Sequence, residues 1–204
     1  QLMVRVGHLD ALGVLAKASA TLAEGEVMQL IDHGNLDIVE QRYFDIIRSK
    51  TASLFQASCE IGAMVSGVDL KKVKALGEYG AAFGICFQII DDVLDYAANE
   101  RELGKGIGDD FKEGKVTLPV IYAYHQGNAE EKQFWERVFE GSDVSQQDLT
   151  QAQSYLLKHK ALDHARNKAQ SIATQAKKSL NIFEDSPTKK SLLDLVDFCL
   201  ERGY

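Results

Sequence analysis

The stretch FQIIDDVLDY, residues 87–96, places three aspartates, Asp91, Asp92 and Asp95, at the end of an otherwise apolar run. Carboxylates are among the side chains least willing to be buried without a pairing partner or a metal. At about 100° per residue of α-helix, Gln88, Asp91, Asp92 and Asp95 fall within one stripe roughly 100° wide. Gly84 and Ala81 continue that stripe toward the N-terminus, while Phe83, Phe87, Ile90 and Leu94 take other directions. The spacing predicts a helix over about 71–99 that forms one wall of a cavity. The wall is acidic at the mouth and carries very small side chains one and two turns deeper.

Three ionised carboxylates this close repel one another. The C-terminal end of a helix is also the wrong end for negative charge. A hard cation removes both objections. Magnesium takes oxygen ligands, keeps several waters and is typically held by one or two carboxylates together with substrate phosphates. A solvated acidic helix end is the competing explanation for the motif taken alone.

The counter-charges come from two other stretches. Lys50, in YFDIIRSKTASLF, shares a helical stripe with Tyr43, Ile47, Leu54 and Ile61, and Thr51 sets a hydroxyl beside it. A lysine in an apolar stripe can simply snorkel to water. Lys105 and Lys115 flank a glycine-rich segment, GKGIGDDFKEGKVTLP, whose glycines let the backbone fold over a bound group. Each lysine alone is an ordinary surface charge. With a carboxylate triad on a neighbouring helix they suggest a site for a magnesium-bound diphosphate. Asp109 and Asp110 are assigned to capping or loop hydrogen bonds rather than to direct metal ligation.

Outward from these motifs the chain is read as a single all-α domain over residues 1–204. It has only two prolines, 45% hydrophobic residues and long segments without turn signals. Asp10 is the expected cap of a first helix that ends near Glu24, Glu26 and Gln29. A second helix is expected over about 38–65, and Thr117 and Pro119 open another. Further helices are expected over about 129–140, 146–158, 161–182 and 187–202, with no strand and no repeat. A net charge of −7 argues against a general nucleic-acid binder. Cys59, Cys86 and Cys199 lack metal-ligand spacing and are expected as buried free thiols in a reducing compartment, hence a cytoplasmic protein. No apolar run long enough to span a membrane is expected, and no signal peptide. The five histidines show no zinc-ligand pattern. The chain opens on Gln1, with QLMVRVG resembling the tail of a helix.

FQIIDDVLDY followed by GKGIGDDFKEGKVTLPVIYA resembles the second aspartate-rich region and following loop of the trans-isoprenyl diphosphate synthases, the polyprenyl synthetases. SKTASLF is similar to their Lys-Thr motif, AEGEVMQL to the helix before it, and DFCLER to their C-terminal helix. The wording resembles most the bacterial long-chain members that make octaprenyl and related chains for quinones. The resemblance implies an isoprenoid-synthase bundle around a central cavity, a homodimer, Mg²⁺, and head-to-tail condensation of an allylic diphosphate with isopentenyl diphosphate. It implies Asp91 as principal metal ligand with Asp92 and Asp95 in support, and Lys50, Thr51, Gln88, Lys105 and Lys115 as the groups that hold the allylic substrate or assist its ionisation. The growing chain is expected to pass Gly84 and Ala81.

The family pairs this motif with an earlier Asp-Asp-x-x-Asp followed by two arginines, and no second copy occurs in these 204 residues. The expectation is therefore the C-terminal two-thirds of a synthase, with little condensation activity on its own. Two alternatives stay open: a non-catalytic regulatory subunit of the same fold, and a terpene cyclase. Product length is not legible.

Overall fold

The computed structural model describes residues 4–5, 7–97, 108–141 and 144–202. Among these there is no strand. The helices run α1 Leu9–Ile31, α2 Glu40–Ile47, a π-helical turn Arg48–Ala52, α3 Ser53–Val65, α4 Leu70–Ala97, α5 Asp109–Lys112, α6 Leu118–Gln126, α7 Ala129–Glu140, α8 Gln146–Lys158, α9 Ala161–Ser179, a 3₁₀ turn Leu180–Ile182, and α10 Pro187–Glu201. The all-α reading of the sequence holds among the described residues.

Helix α4 is the axis of the bundle. Cys86, Ile89, Ile90 and Val93 on it are buried. On one side it meets α9 through Ala165, Ala169, Ala173 and Ala176, all fully buried. Methyl-sized side chains at helical spacing let two helices approach closely along their length. On the other side α3 lies against it. A Cβ at Gly84 would sit 2.7 Å from the Ala52 Cα and 3.0 Å from the Phe55 ring. Gly84 therefore serves helix contact. The expected passage for a growing chain past Gly84 is filled by Ala52 and Phe55, because the opposing helix comes in where the side chain is missing.

Three further expectations are corrected. His8, not Asp10, caps α1: its Nδ1 accepts the Ala11 N–H at 3.2 Å. Asp10 sits in the first turn instead, where its charge suits the helix dipole. The helix over 38–65 forms, over 40–65, but it is not α-helical throughout. The Ser53 N–H reaches back five residues to the Arg48 carbonyl, so one extra residue is accommodated and the register shifts. Leu54, predicted to lie inward, is 45% exposed, and Phe55 packs against Phe83 and Phe87 with ring centroids 5.3 and 5.6 Å apart. Finally, α4 is by length and composition apolar enough to cross a membrane, against expectation, but 61% of its apolar window is buried inside the bundle. Its hydropathy is that of a core helix.

Local signals set the remaining boundaries. Capping boxes open α7 at Asn128–Glu131 and α8 at Ser145–Asp148. Pro119 and Pro187 stand in first turns, where a missing N–H costs nothing. The three cysteines are free thiols. Distant in sequence, Cys86 and Cys199 meet in the core between α4 and α10, where the neighbouring sulfur and burial push the Cys86 thiol up.

Candidate active site

A cavity of about 390 Å³ opens between the C-terminal end of α1, α2 with the π turn, the C-terminal half of α4, and the segment from Asp110 to Val116. Lys50, Thr51, Gln88, Asp91, Asp92 and Lys115 all line it. Asp95, one turn further along α4, does not line it, and Lys105 lies outside the described residues.

Lys50 reaches the cavity because α1 and the π turn touch. A Cβ at Gly25 would fall 2.4 Å from the Lys50 backbone nitrogen, so only glycine fits there. The Lys50 ammonium donates to Gln29 Oε1 at 2.5 Å and pairs with Glu26 at 3.1 Å. Glu26 and Gln29 were visible in the sequence as polar residues near a helix end, but nothing in their spacing linked them to Lys50.

The next turn holds a chain of hydrogen bonds. The Thr51 hydroxyl donates to Gln88 Oε1 at 2.7 Å, and Gln88 Nε2 donates to Asp92 Oδ1 at 2.8 Å. The Tyr43 hydroxyl donates to the other Asp92 oxygen at 2.6 Å. Asp92 is 3% exposed. Burial, with the Asp110 charge adding to it, pushes its carboxyl up to about 8 against the lowering effect of the Tyr43 and Gln88 hydrogen bonds. Asp95 has a different task. It accepts the backbone N–H groups of Asp109 and Asp110 at 3.1 and 3.2 Å and so anchors the start of α5. Burial first, then Asp110, raises its carboxyl to about 6, and those two N–H groups offset part of the rise. Asp91 is half-buried, lines the cavity and makes no hydrogen bond or ion pair with any described residue.

Lys115 stands across the cavity, 2.7 Å from both Asp110 and Glu113. Burial draws its ammonium down, but these two carboxylates more than offset that and hold the charge in place. Asp110 is thus a cavity residue as well as a loop residue, which its sequence context alone does not reveal. Its position five residues before Lys115 was the available signal. His33 also lines the cavity and hydrogen-bonds the Glu113 carbonyl at 2.8 Å, beside a second tie from the Gly34 N–H to the Gly114 carbonyl at 3.0 Å.

Asp32, Asp91, Asp92, Asp110 and Glu113 face Lys50 and Lys115 across one space, so carboxylates outnumber ammonium groups. No group of three or more His, Cys, Asp or Glu side chains converges as a metal cage among the described residues. The lining does carry an excess of carboxyl groups over ammonium groups. It fits magnesium, which is bound through one or two carboxylates plus waters and substrate oxygens. Asp91 is the aspartate of the motif whose oxygens stay open to the cavity, and Asp92 and Asp95 are already committed to other donors.

The family model for polyprenyl synthetase matches residues 1–156. The octaprenyl diphosphate synthase of Haemophilus influenzae is 37% identical over 204 residues, which is all of this chain and 62% of that protein. Its counterpart in Escherichia coli is 35% identical over 99% of this chain and 62% of its own length. A crystal structure of decaprenyl diphosphate synthase from Rhodobacter capsulatus superposes with a TM-score of 0.93 at 43% identity, covering 100% of this chain and 63% of that one. A polyprenyl synthase from Caulobacter crescentus CB15, complexed with calcium and isoprenyl diphosphate, superposes with a TM-score of 0.96 at 39% identity, covering 100% and 62%. The chain thus spans a little over three-fifths of the length of these relatives. With three-quarters of the sequence inside the family model and the fold shared end to end, this chain belongs to the polyprenyl synthetase family.

Proposed function

We propose that this chain carries the allylic-diphosphate site of a magnesium-dependent trans-polyprenyl diphosphate synthase with a long-chain, octaprenyl-type product. The observation that carries the reading is the unpartnered Asp91 carboxylate in the same cavity as Lys50, Thr51, Gln88 and Lys115. The calcium and isoprenyl diphosphate bound to the Caulobacter relative support it.

In this reading Asp91 is the direct magnesium ligand, with Asp92 and Asp95 in support behind it. Magnesium, when bound, acts as a Lewis acid that neutralises the diphosphate. The protein's own share is positioning. Lys50 and Lys115 are held at the cavity by carboxylate partners, so their charge is in place before the allylic carbon–oxygen bond breaks. Preorganised positive charge aimed at a leaving group costs no reorganisation at the moment of reaction. Thr51 and Gln88 supply neutral polar contacts to phosphate oxygens, and Lys105 adds a third cation. Ile38, Ile46, Ile47 and Val116 are the buried aliphatic part of the lining and limit water around a developing carbocation. The second substrate, isopentenyl diphosphate, attacks that carbon, and the departing diphosphate takes the proton lost. A homodimer and a cytoplasmic location belong to the same reading. Light scattering on the purified chain and cell fractionation test them.

The test is calorimetric titration of farnesyl S-thiolodiphosphate, a non-hydrolysable analogue, with and without Mg²⁺, beside Asp91→Ala. Binding that requires Mg²⁺ and weakens at least about tenfold in the variant, some 1.4 kcal/mol, is expected. Binding indifferent to Mg²⁺ and to Asp91, or no binding, overturns the reading.

A further inference from the structure

We propose that Tyr43 is a positioning residue of the diphosphate site: through Asp92 it fixes the orientation of Gln88, and through Gln88 that of Thr51. This rests on the diphosphate reading of the cavity. Tyr43 and Asp92 are each only 3% exposed, and the bond between them, 2.6 Å, joins α2 to α4 across the floor of the cavity.

The logic lies in donor and acceptor inventory. A primary amide has one end that donates and one that accepts. The Asp92 oxygen nearest Gln88 takes a hydrogen from Nε2 at 2.8 Å, which turns Gln88 Oε1 toward Thr51. The Thr51 hydroxyl must then donate its hydrogen to that oxygen, at 2.7 Å, leaving its lone pairs and the second Gln88 N–H for other partners. The order of roles along the chain is therefore set by the one Asp92 oxygen that accepts from Gln88, while the Tyr43 hydroxyl hydrogen-bonds the other and fixes the plane of the carboxyl. Without the Tyr43 hydroxyl, a buried oxygen beside Asp91 and Asp110 has no partner, and the carboxyl is free to rotate away from Gln88. Three elements depend on the linkage, since Tyr43 is on α2, Thr51 on the π turn, and Gln88 and Asp92 on α4. Tyr43 itself lines the cavity, but its hydroxyl is committed to Asp92, so its polar atom acts on a ligand through that neighbour.

A double-mutant cycle distinguishes positioning from plain packing. Farnesyl S-thiolodiphosphate with Mg²⁺ is titrated into the wild-type chain, Tyr43→Phe, Gln88→Ala and the double variant. We expect Tyr43→Phe to weaken binding about tenfold, and to cost nothing further when Gln88 is already alanine. Asp92→Asn is the second arm. Its amide keeps the shape but offers a donor on one side, so either the Gln88 amide or the Tyr43 hydroxyl must give up its donor role. We expect a similar loss of affinity without a fall in unfolding temperature. Tyr43→Phe within twofold of wild type, or a loss that simply adds to that of Gln88→Ala, overturns the proposal. If Tyr43→Phe fails to fold, wild-type affinity in Asp92→Asn overturns it. A wild-type chain that shows no Mg²⁺-dependent binding overturns the diphosphate reading itself, and this proposal with it.

Discussion

Three aspartates of one short motif have three different surroundings. Asp92 is buried between a phenol and an amide, Asp95 holds two backbone N–H groups, and Asp91 keeps its oxygens open to the cavity. Their spacing announced a shared face but not this division, because it depends on partners distant in the chain, such as Tyr43 and Asp109. Lys50, Thr51 and Gln88 were legible as polar residues on otherwise apolar helices, and Lys115 as a flank of the glycine-rich segment. Tyr43 was not, since a tyrosine on an apolar stripe reads as core. Gly25 shows how little tolerance the site has. Its missing Cβ is replaced by the Lys50 backbone, and a backbone cannot swing aside as a side chain can. We expect Gly25→Ala to destabilise the fold by about 1–3 kcal/mol, as overpacking commonly does. It should also weaken diphosphate binding, while Gly62→Ala, inside a helix with nothing within 4 Å, leaves binding unchanged and raises stability by up to about 1 kcal/mol. Urea midpoints and the same titration check this.

Among elements, most boundaries were visible because caps, prolines and glycines mark them, as at α7, α8 and α10. The π turn was not visible, because a five-residue hydrogen bond leaves no compositional mark, and Lys50 and Thr51 sit inside it. Its register makes a clear prediction. Leu54→Ser is expected to change stability by less than about 0.5 kcal/mol, as exposed substitutions do. Phe55→Ala should cost about 3 kcal/mol through the cavity it leaves beside Phe83 and Phe87. Urea midpoints of the two variants read the order directly, and an unbroken α-helix would reverse it.

Helix α8 carries a pH signature. The Ser145 hydroxyl, then Arg137, holds the Asp148 carboxyl down to about 2 from its ordinary 3.8. A depressed carboxylate contributes stability that is present above its unfolded value and lost as pH falls through the folded one. Thermal unfolding temperatures should therefore drop between about pH 4 and 2. Asp148→Asn should flatten that part of the profile and lower the plateau above it.

The whole molecule is held by α4, with α9 and α3 pressed close on its two sides. The all-α class followed from composition, and the family from motif order. The packing partners did not, because Ala165, Ala169 and Ala173 look like any helix-forming residues until α4 is laid beside them. Thiol chemistry reports on this core. Cys59 is half-buried, whereas Cys86 and Cys199 are enclosed between α4 and α10. In a native sample we expect a thiol reagent to modify Cys59 slowly and the other two only at the rate of global unfolding. Rapid native labelling of all three, read by intact mass, would contradict the packing described.

The π turn has a consequence at the level of the gene. Its five residues do the work that four would do in an α-helical turn. Loss of a single codon anywhere in 48–52 would let α2 and α3 fuse into one straight rod. It would leave the outer faces of α2 and α3 in register, because four α-helical residues would then span what five span now. An in-frame deletion that spares every aspartate of the motif, and leaves Tyr43 over Asp92, would therefore remove the bulge that presents Lys50 and Thr51, and a lineage carrying it would keep its helices while losing one wall of its cavity.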